Sequence, residues 1–354
     1  MHTHHKRVLF ICKRRNESYG ASDGNYNTAS YGLLNSCRLV GKALMSTYPG
    51  LQFHVAIVDD NNGIDREVYN YRPTHVIIEA LWVVPDKFDV LLPRYPRTKW
   101  SVRLHSKAAF IANEGVAFEW IKGYERLKTK YNNFNFSVND KDFHADLSEL
   151  LDSEIDYLPN LYPIGDGPKH RCPDLEDKEL HIGCFGAIRP LKNQLEQAIA
   201  AIIFADEMEM KLHFHINAAR TEQRGDNVLK NIRALFSDTK HVLVEHKWYG
   251  HDDFIEVVRK MDIGMQVSFS ETFNIVAADF AANNVPVIVS PEIDWASMLY
   301  KVDPNDTDKI VRKLKFAYAF SCVNLHYLNK AGLNRHNARS IQAWGRYLFH
   351  NKRD

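Results

Sequence analysis

The chain has 354 residues, 45% hydrophobic and 25% charged, with a formal net charge of +1. That length suits two domains of roughly 150 to 200 residues each, and the near-neutral balance excludes a bulk attraction to nucleic acid while leaving local basic patches open. No apolar run approaches the roughly 18 residues of a membrane span, the polar start MHTHHKR shows no leader pattern, and the five cysteines include no CxxC pair, so the expectation is a reduced, cytoplasmic protein, in the host cytoplasm if viral.

Val8 to Cys12 is an apolar run of strand formers, as expected for a strand buried on both faces. A loop with Gly20 and Gly24 leads to a helix from about Ala29 to Thr47. Residues 53–58, 75–79 and 99–104 predict further strands, with a helix near 86–94 between the last two. A helical stretch covers roughly 113–131, and short strands follow near 134–138 and 155–158. The stretch from Pro159 to Pro173 is rich in proline and loses periodicity, the mark of a linker. The alternation then restarts: strands at 180–185, 211–216, 241–244, 262–267 and 285–289, with helices at 192–205, 225–236, 251–260 and 272–283. Helices near 306–320 and 335–350 close the chain. Strand–helix alternation implies parallel sheets covered on both faces.

The expected organisation is an α/β chain with a Rossmann-like N-terminal domain (1–160), a linker (161–173) and a second Rossmann-like domain (174–334). A C-terminal helix (335–354) is expected to pack back on the first domain. Two such domains facing a central cleft would bind a ligand outside the carboxyl ends of their strands.

Two stretches carry candidate chemistry. The first, Phe185 to Asn193, follows a strand and opens a helix. Gly186 lets backbone approach a ligand, the helix start offers N–H groups to an anion, and Arg189 and Lys192 add positive charge. The same residues would also suit a surface turn with two solvated cations. The second, Ser268 to Asp279, again joins a buried strand to a helix. Glu271 falls in the loop, and Asp279 lies about two turns into the helix on roughly the same face. A loop carboxylate can accept from sugar hydroxyls, and N–H groups near Asn274 and Ile275 can meet a phosphate. A helix cap at Ser270 or Thr272 with a solvated acid behind it would read the same way.

Together, the two stretches resemble those of GT-B glycosyltransferases, most closely the retaining family 4 type. The resemblance covers residues 180 to about 300. It assigns Gly186, Arg189 and Lys192 to the donor diphosphate, Glu271 to the donor sugar and Asp279 to its ribose. Thr272, Phe273, Asn274 and Ile275 complete this donor-binding element, and Asn284 to Ile288 matches the strand that follows it. The chain departs from the family in having Asp for the second Glu, Asn274 for a glycine, and the arginine three residues after the glycine. In the first half, Gly24 and Asn25 lie where the family keeps its glycine-rich loop. Tyr157 to Asn160 is similar to its domain-junction turn, and His105 stands where the family often has a histidine close to the sugar. The resemblance implies transfer from a nucleoside-diphosphate sugar, a UDP-sugar as donor, to a hydroxyl with retention. His105, Glu271, Arg189 and Lys192 would be catalytic. The resemblance implies no metal: the chain shows no Asp-x-Asp pair of the kind metal-dependent transferases use, no HExxH and no tight His/Asp cluster, and His2, His4 and His5 read as a terminal polar run.

The acceptor side is expected from Arg15, Tyr19, Arg103, His105, Ser106 and Glu114. Basic and aromatic residues interleave at 13–19, 94–107 and 122–131, a mix that suits phosphate positioning with base stacking and equally suits ordinary solvated faces. The texture of residues 78–85 and 103–115 looks like that of bacteriophage glycosyltransferases, some of which decorate hydroxymethylated pyrimidines. That likeness implies DNA as partner, with 5-hydroxymethylcytosine receiving glucose or a pentose such as arabinose. Transfer to a surface polysaccharide or lipid, a non-catalytic sugar-nucleotide binder, and an epimerase of the same architecture stay open.

Overall fold

A computed structural model describes residues 5–14, 31–165, 178–323 and 325–349. The described residues divide into two compact units: 5–14, 31–163 and 336–349 form unit one, and 164–165, 178–323 and 325–335 form unit two.

Unit one runs β1 (Lys6–Lys13), α1 (Tyr31–Thr47), β2 (Leu51–Val58), α2 (Gly63–Tyr71), β3 (His75–Glu79), α3 (Pro85–Arg94), β4 (Lys99–Leu104), α4 (Ala108–Ile111), α5 (Ala117–Lys130), β5 (Phe134–Val138), α6 (Lys141–Leu151) and β6 (Asp156–Tyr157). Its six strands lie in the order β2-β1-β3-β4-β5-β6, every pair parallel. β3 is buried at all of its positions, which is why it reads as a continuous apolar run and not as an alternation.

Unit two runs β7 (Glu179–Gly183), α7 (Gln194–Glu207), β8 (Lys211–Asn217), α8 (Gly225–Phe236), β9 (Val242–His246), α9 (His251–Val258), β10 (Ile263–Gln266), α10 (Ile275–Ala282), β11 (Val287–Val289) and α11 (Thr307–Ala319); α12 (Tyr327–Phe349) follows. Its five strands lie in the order β11-β10-β7-β8-β9, again all parallel. One face buries Leu180, Ile182, Phe214 and Ile216 against α7, α8 and α11. On the other face α10 approaches closely because two strand residues lack side chains. A Cβ on Gly264 would meet the Phe280 ring at 2.6 Å, and one on Gly183 would meet the same ring at 2.9 Å.

Two helices escape the sequence reading. α2 buries only Ile64 and Val68, and α6 only Phe143 and Leu147. An apolar stripe of i and i+4 alone is too sparse to show a period. The helical stretch expected over 113–131 is α5, which starts at Ala117, and a short helix not expected from sequence, α4, precedes it, with Ala112 to Val116 between them. The last helix begins at Tyr327, ahead of the expected 335. Its later part packs in unit one, where Trp344 and Leu348 share a cluster with Val8, Phe10 and Val40, and Trp344 Nε1 donates to the Pro159 carbonyl at 2.8 Å.

Candidate functional site

In unit two, the strand order reverses between β7 and β10. The chain leaves those strands in opposite directions, and a crevice opens at their carboxyl ends. The loops leaving these two strands are 184–193 and 267–274, the two stretches singled out from sequence.

The first loop is shaped by backbone. Gly186 sits at φ +110 with nothing within 4 Å of where a Cβ would be, so its place is set by conformation and it faces open space. Its N–H donates to Asn217 Oδ1 at 2.9 Å. Arg189 Nη1 meets Glu222 Oε2 at 3.2 Å, and Arg220 pairs with the same carboxylate. Asn193, left-handed at φ 57, turns the chain into α7, and its side-chain amide donates to the carbonyls of Val267 and Pro304.

The second loop is tied to the first. Phe269 N–H donates to the Leu191 carbonyl at 3.0 Å, and Lys192 forms an ion pair with Glu271. These two side chains, far apart in sequence, are 12% and 11% exposed. Asn274 explains its own departure from glycine. It holds φ +58, a region that asparagine tolerates better than other side chains. Its Oδ1 accepts from Ala277 N–H at 2.9 Å and caps α10, while Nδ2 donates to Gln266 Oε1 at 2.9 Å and Glu271 Oε2 at 3.2 Å. Gln266 donates in turn to the Phe185 carbonyl at 3.0 Å, joining the two strands beneath the loops. Thr272 is half-buried beside Glu271, and Ile275 opens α10.

Burial pushes the Glu271 carboxyl upward, but Lys192 and then Arg189 outweigh it and hold the group below its ordinary range. An ionised acceptor therefore sits among cations. The set can receive an anionic group on Arg189 and Lys192 and a hydroxyl on Glu271.

Two side chains of this loop and helix are less open than the resemblance implies. Asp279 is 1% exposed and its Oδ1 accepts from His251 Nε2 at 2.9 Å. The carboxylate is therefore already engaged, and His251 is the more exposed member of the pair. Phe273 is buried beside Trp295, whose Nε1 donates to its carbonyl at 2.8 Å, so its side chain is core. Gln266 and Glu222 carry no signal of their own in the sequence, and His251 reaches Asp279 through the packing of α9 on α10.

In unit one the carboxyl ends of β3 and β4 carry a buried polar knot. Glu79 and Arg103 are both 0% exposed. Arg103 Nη1 reaches both Glu79 oxygens, at 3.1 and 3.3 Å, its Nε donates to the Leu158 carbonyl at 2.7 Å, and Nη2 donates to Asn160. Burial raises the Glu79 carboxyl, but Arg103 and His105 hold it below its ordinary value. Burial and the Arg103 charge push His105 down, so the ring is neutral. Its Nε2 donates to Glu79, and its Nδ1 accepts from Asn139 at 3.3 Å. The residue after Glu79, Ala80, is held at φ 70, an unusual conformation for alanine.

This knot corrects the reading of Arg103 as acceptor-binding: its guanidinium is spent inside the fold. His105 likewise has both ring nitrogens engaged and is not an open proton donor in this arrangement. Ser106 and Glu114 are half-buried, each in a loop. Of the interleaved aromatics, Trp100 and Tyr124 lie in the core and are closed to base stacking. Neighbouring cations are paired: Arg94 with Asp65, Lys107 with Asp140 and Lys130 with Asp89. Arg15, Tyr19, Gly24 and Asn25 lie outside the described residues.

Two parallel-sheet α/β units of this kind, the second with its loops at the β7/β10 reversal, define a GT-B fold. The chain is similar to the structure described as trehalose-6-phosphate from E. coli bound with UDP-2-fluoro glucose, at a TM-score of 0.64 and 11% identity, covering 96% of this chain and 97% of that one. It is similar to a UDP-forming alpha,alpha-trehalose-phosphate synthase from Burkholderia vietnamiensis, at 0.59 and 14%, covering 96% and 97%. It is also similar to a mutant of S. aureus TarM in complex with fondaparinux, alpha-GlcNAc-glycerol and UDP, at 0.59 and 13%, covering 78% of this chain but only 55% of TarM. No family model and no curated protein sequence matches the chain. No helix among the described residues is long and apolar enough to cross a membrane.

Proposed function

We propose that the protein is a retaining glycosyltransferase that moves a sugar from a UDP-sugar to a hydroxyl acceptor. The observation that carries this reading is the joining of Arg189, Lys192 and an ionised Glu271 by two loops at one strand-order reversal. The bond between the anomeric carbon and the diphosphate oxygen breaks, a bond from the acceptor oxygen to that carbon forms, and the acceptor proton is released. Negative charge grows on the departing diphosphate. Preorganised cations and N–H groups lower the barrier most when aimed at such charge, which is the role given to Arg189, Lys192 and the start of α10 at Asn274. Glu271 takes a donor-sugar hydroxyl, and the His251–Asp279 pair takes the ribose. This leaving-group chemistry needs no metal at the diphosphate. UDP and a UDP-sugar analogue accompany neighbours of the same fold, which supports the choice of base.

Unit one is assigned the acceptor, with Ser106 and Glu114 as its contacts. The acceptor to test first is 5-hydroxymethylcytosine in duplex DNA, with glucose or arabinose as the sugar. Its support is the likeness of residues 78–85 and 103–115 to phage transferases; the buried aromatics of unit one add nothing to it. The experiment is transfer of labelled sugar from a panel of UDP-sugars to hydroxymethylated duplex DNA, with unmodified DNA as control. Label on the modified DNA only, lost in Arg189→Ala, supports both donor and acceptor. Donor hydrolysis without label on DNA rejects the DNA acceptor and redirects the search to glycans and lipids. Neither binding nor hydrolysis of any UDP-sugar rejects the enzyme reading.

A further inference from the structure

At the amino ends of β7 and β8, away from the loops just described, the register places His181 beside His213 and Glu179 beside Lys211. Residues 179 and 181 share a face with 213, because side chains alternate along a strand. The rings of His181 and His213 stack at 4.7 Å and 19°. One ring nitrogen from each and a carboxylate oxygen of Glu179 all lie within 4.8 Å of one another. Linear spacing hides this cluster: a chain read residue by residue shows no metal motif here.

We propose that Glu179, His181 and His213 form a binding site for a divalent zinc-type metal ion. Three observations converge. First, the donor set of two imidazoles and one carboxylate is a common three-ligand set for zinc. Second, the three donor atoms lie within 4.8 Å of one another, and one separation is near to what the ion requires. Zinc–ligand bonds of about 2.0–2.1 Å in a tetrahedron put donor atoms about 3.3 Å apart, and His213 Nε2 lies 3.5 Å from Glu179 Oε2. Third, the hydrogen-bond accounting points to a ligand. His213 Nε2 is a buried atom with no hydrogen-bond partner of normal geometry among the described residues, a state that is costly to leave uncompensated.

The surroundings fit as well. His181 Nδ1 contacts His215 Nε2 at 3.0 Å, and His215 Nδ1 contacts His246 Nε2 at 2.8 Å. An imidazole fixed through one nitrogen by an outer partner is oriented to ligate through the other, so His181 would bind through Nε2. Lys211 Nζ stands 3.5 Å from Glu179 Oε1. It is the competing cation at that carboxylate, and both are about half exposed, so it can swing aside. The ion would bridge β7 to β8 and stabilise unit two without entering the transfer chemistry.

The test uses full-length protein stripped with a chelator and carrying His2→Ala, His4→Ala and His5→Ala, so that terminal histidines do not contribute. Zinc chloride is titrated by calorimetry and by thermal melting. The expected result is one equivalent bound with a rise in melting temperature. Glu179→Gln and His213→Gln should each weaken binding by about tenfold or more and remove the thermal shift, while their metal-free melts stay within a few degrees of the parent. Absence of a saturable single equivalent, or parental affinity in either variant, overturns the proposal. Sugar transfer is not a readout, so the outcome is independent of the enzyme reading.

Discussion

Replacing Arg103 by methionine tests whether the knot in unit one is held by charge. The substitution keeps a long apolar stem but strands Glu79, which is 0% exposed, with His105 as its remaining side-chain partner. Breaking a buried ion pair from one side costs about 3–5 kcal/mol, a large share of a domain's stability. Lost donations to the Leu158 carbonyl and Asn160 and the lost stacking of Arg103 on Trp344, 5.3 Å to the ring centre, act in the same direction. The pH dependence separates these contributions. In the native protein Glu79 is held below its ordinary value of 4.5, so its contribution is present above that value and is lost as pH falls through the lower folded one. In Arg103→Met the stranded carboxyl is raised instead. Its penalty is then present above the raised folded value, shrinks as pH falls from there toward the ordinary value, and is gone below it. Urea unfolding followed by tryptophan fluorescence, at a series of pH values from about 7 down to about 4, should therefore show the two stabilities converging. The double variant Arg103→Met/Glu79→Gln should recover about 2 kcal/mol of the single loss, as expected for coupled neighbours. A loss that does not change with pH, with no recovery in the double variant, would refute the charge account and leave only packing.

In the proposed donor site, Lys192→Ala should lower kcat for donor hydrolysis or transfer by about 100-fold or more, the scale of losing a charge-stabilising donor, and should also lower the melting temperature because Glu271 loses its ion-pair partner; an unchanged kcat removes Lys192 from the chemistry. Asn274→Gly and Asn274→Ala both lose the cap and the donations to Gln266 and Glu271, but only alanine strains φ +58, so Asn274→Ala should cost about 1 kcal/mol more than Asn274→Gly. Equal losses for the two in thermal melts would contradict that ordering. Because Lys192 and Arg189 outweigh burial and hold Glu271 below its ordinary 4.5, donor binding measured by calorimetry should be flat above that pH and fail only as pH drops beneath it; a fall beginning near neutrality would show Glu271 protonating early.

The sequence reads well where burial is two-sided. β3, β5 and β10 are short apolar runs between turn residues, and their positions follow from composition. The loops after β7 and β10 were legible because each combines a turn residue with charge at a strand-to-helix junction. What stayed hidden depends on pairing between strands. Glu79 closes its strand as a lone acid, and nothing in residues 75–79 says that Arg103 will lie beside it; only the β3–β4 register, Glu79 against Arg103, makes them partners. The aromatic and basic stretch at 94–131 misled for the same reason. Alternation of ring and charge along the chain does not tell which ring faces inward, and Trp100 and Tyr124 do.

Register also accounts for the difference between the two ends of unit two. At the carboxyl ends, β7 and β10 are neighbours that diverge, so their loops can bring Lys192 to Glu271 without disturbing the sheet. At the amino ends, β7 and β8 stay side by side, so the polar residues there are in fixed contact through His181 and His213. A parallel sheet places long-range partners in contact at both ends, but only the reversal point leaves room for a ligand as large as a nucleotide. The paired end has room for an ion. The same five strands thus bring Lys192 to Glu271 at one end and His181 to His213 at the other.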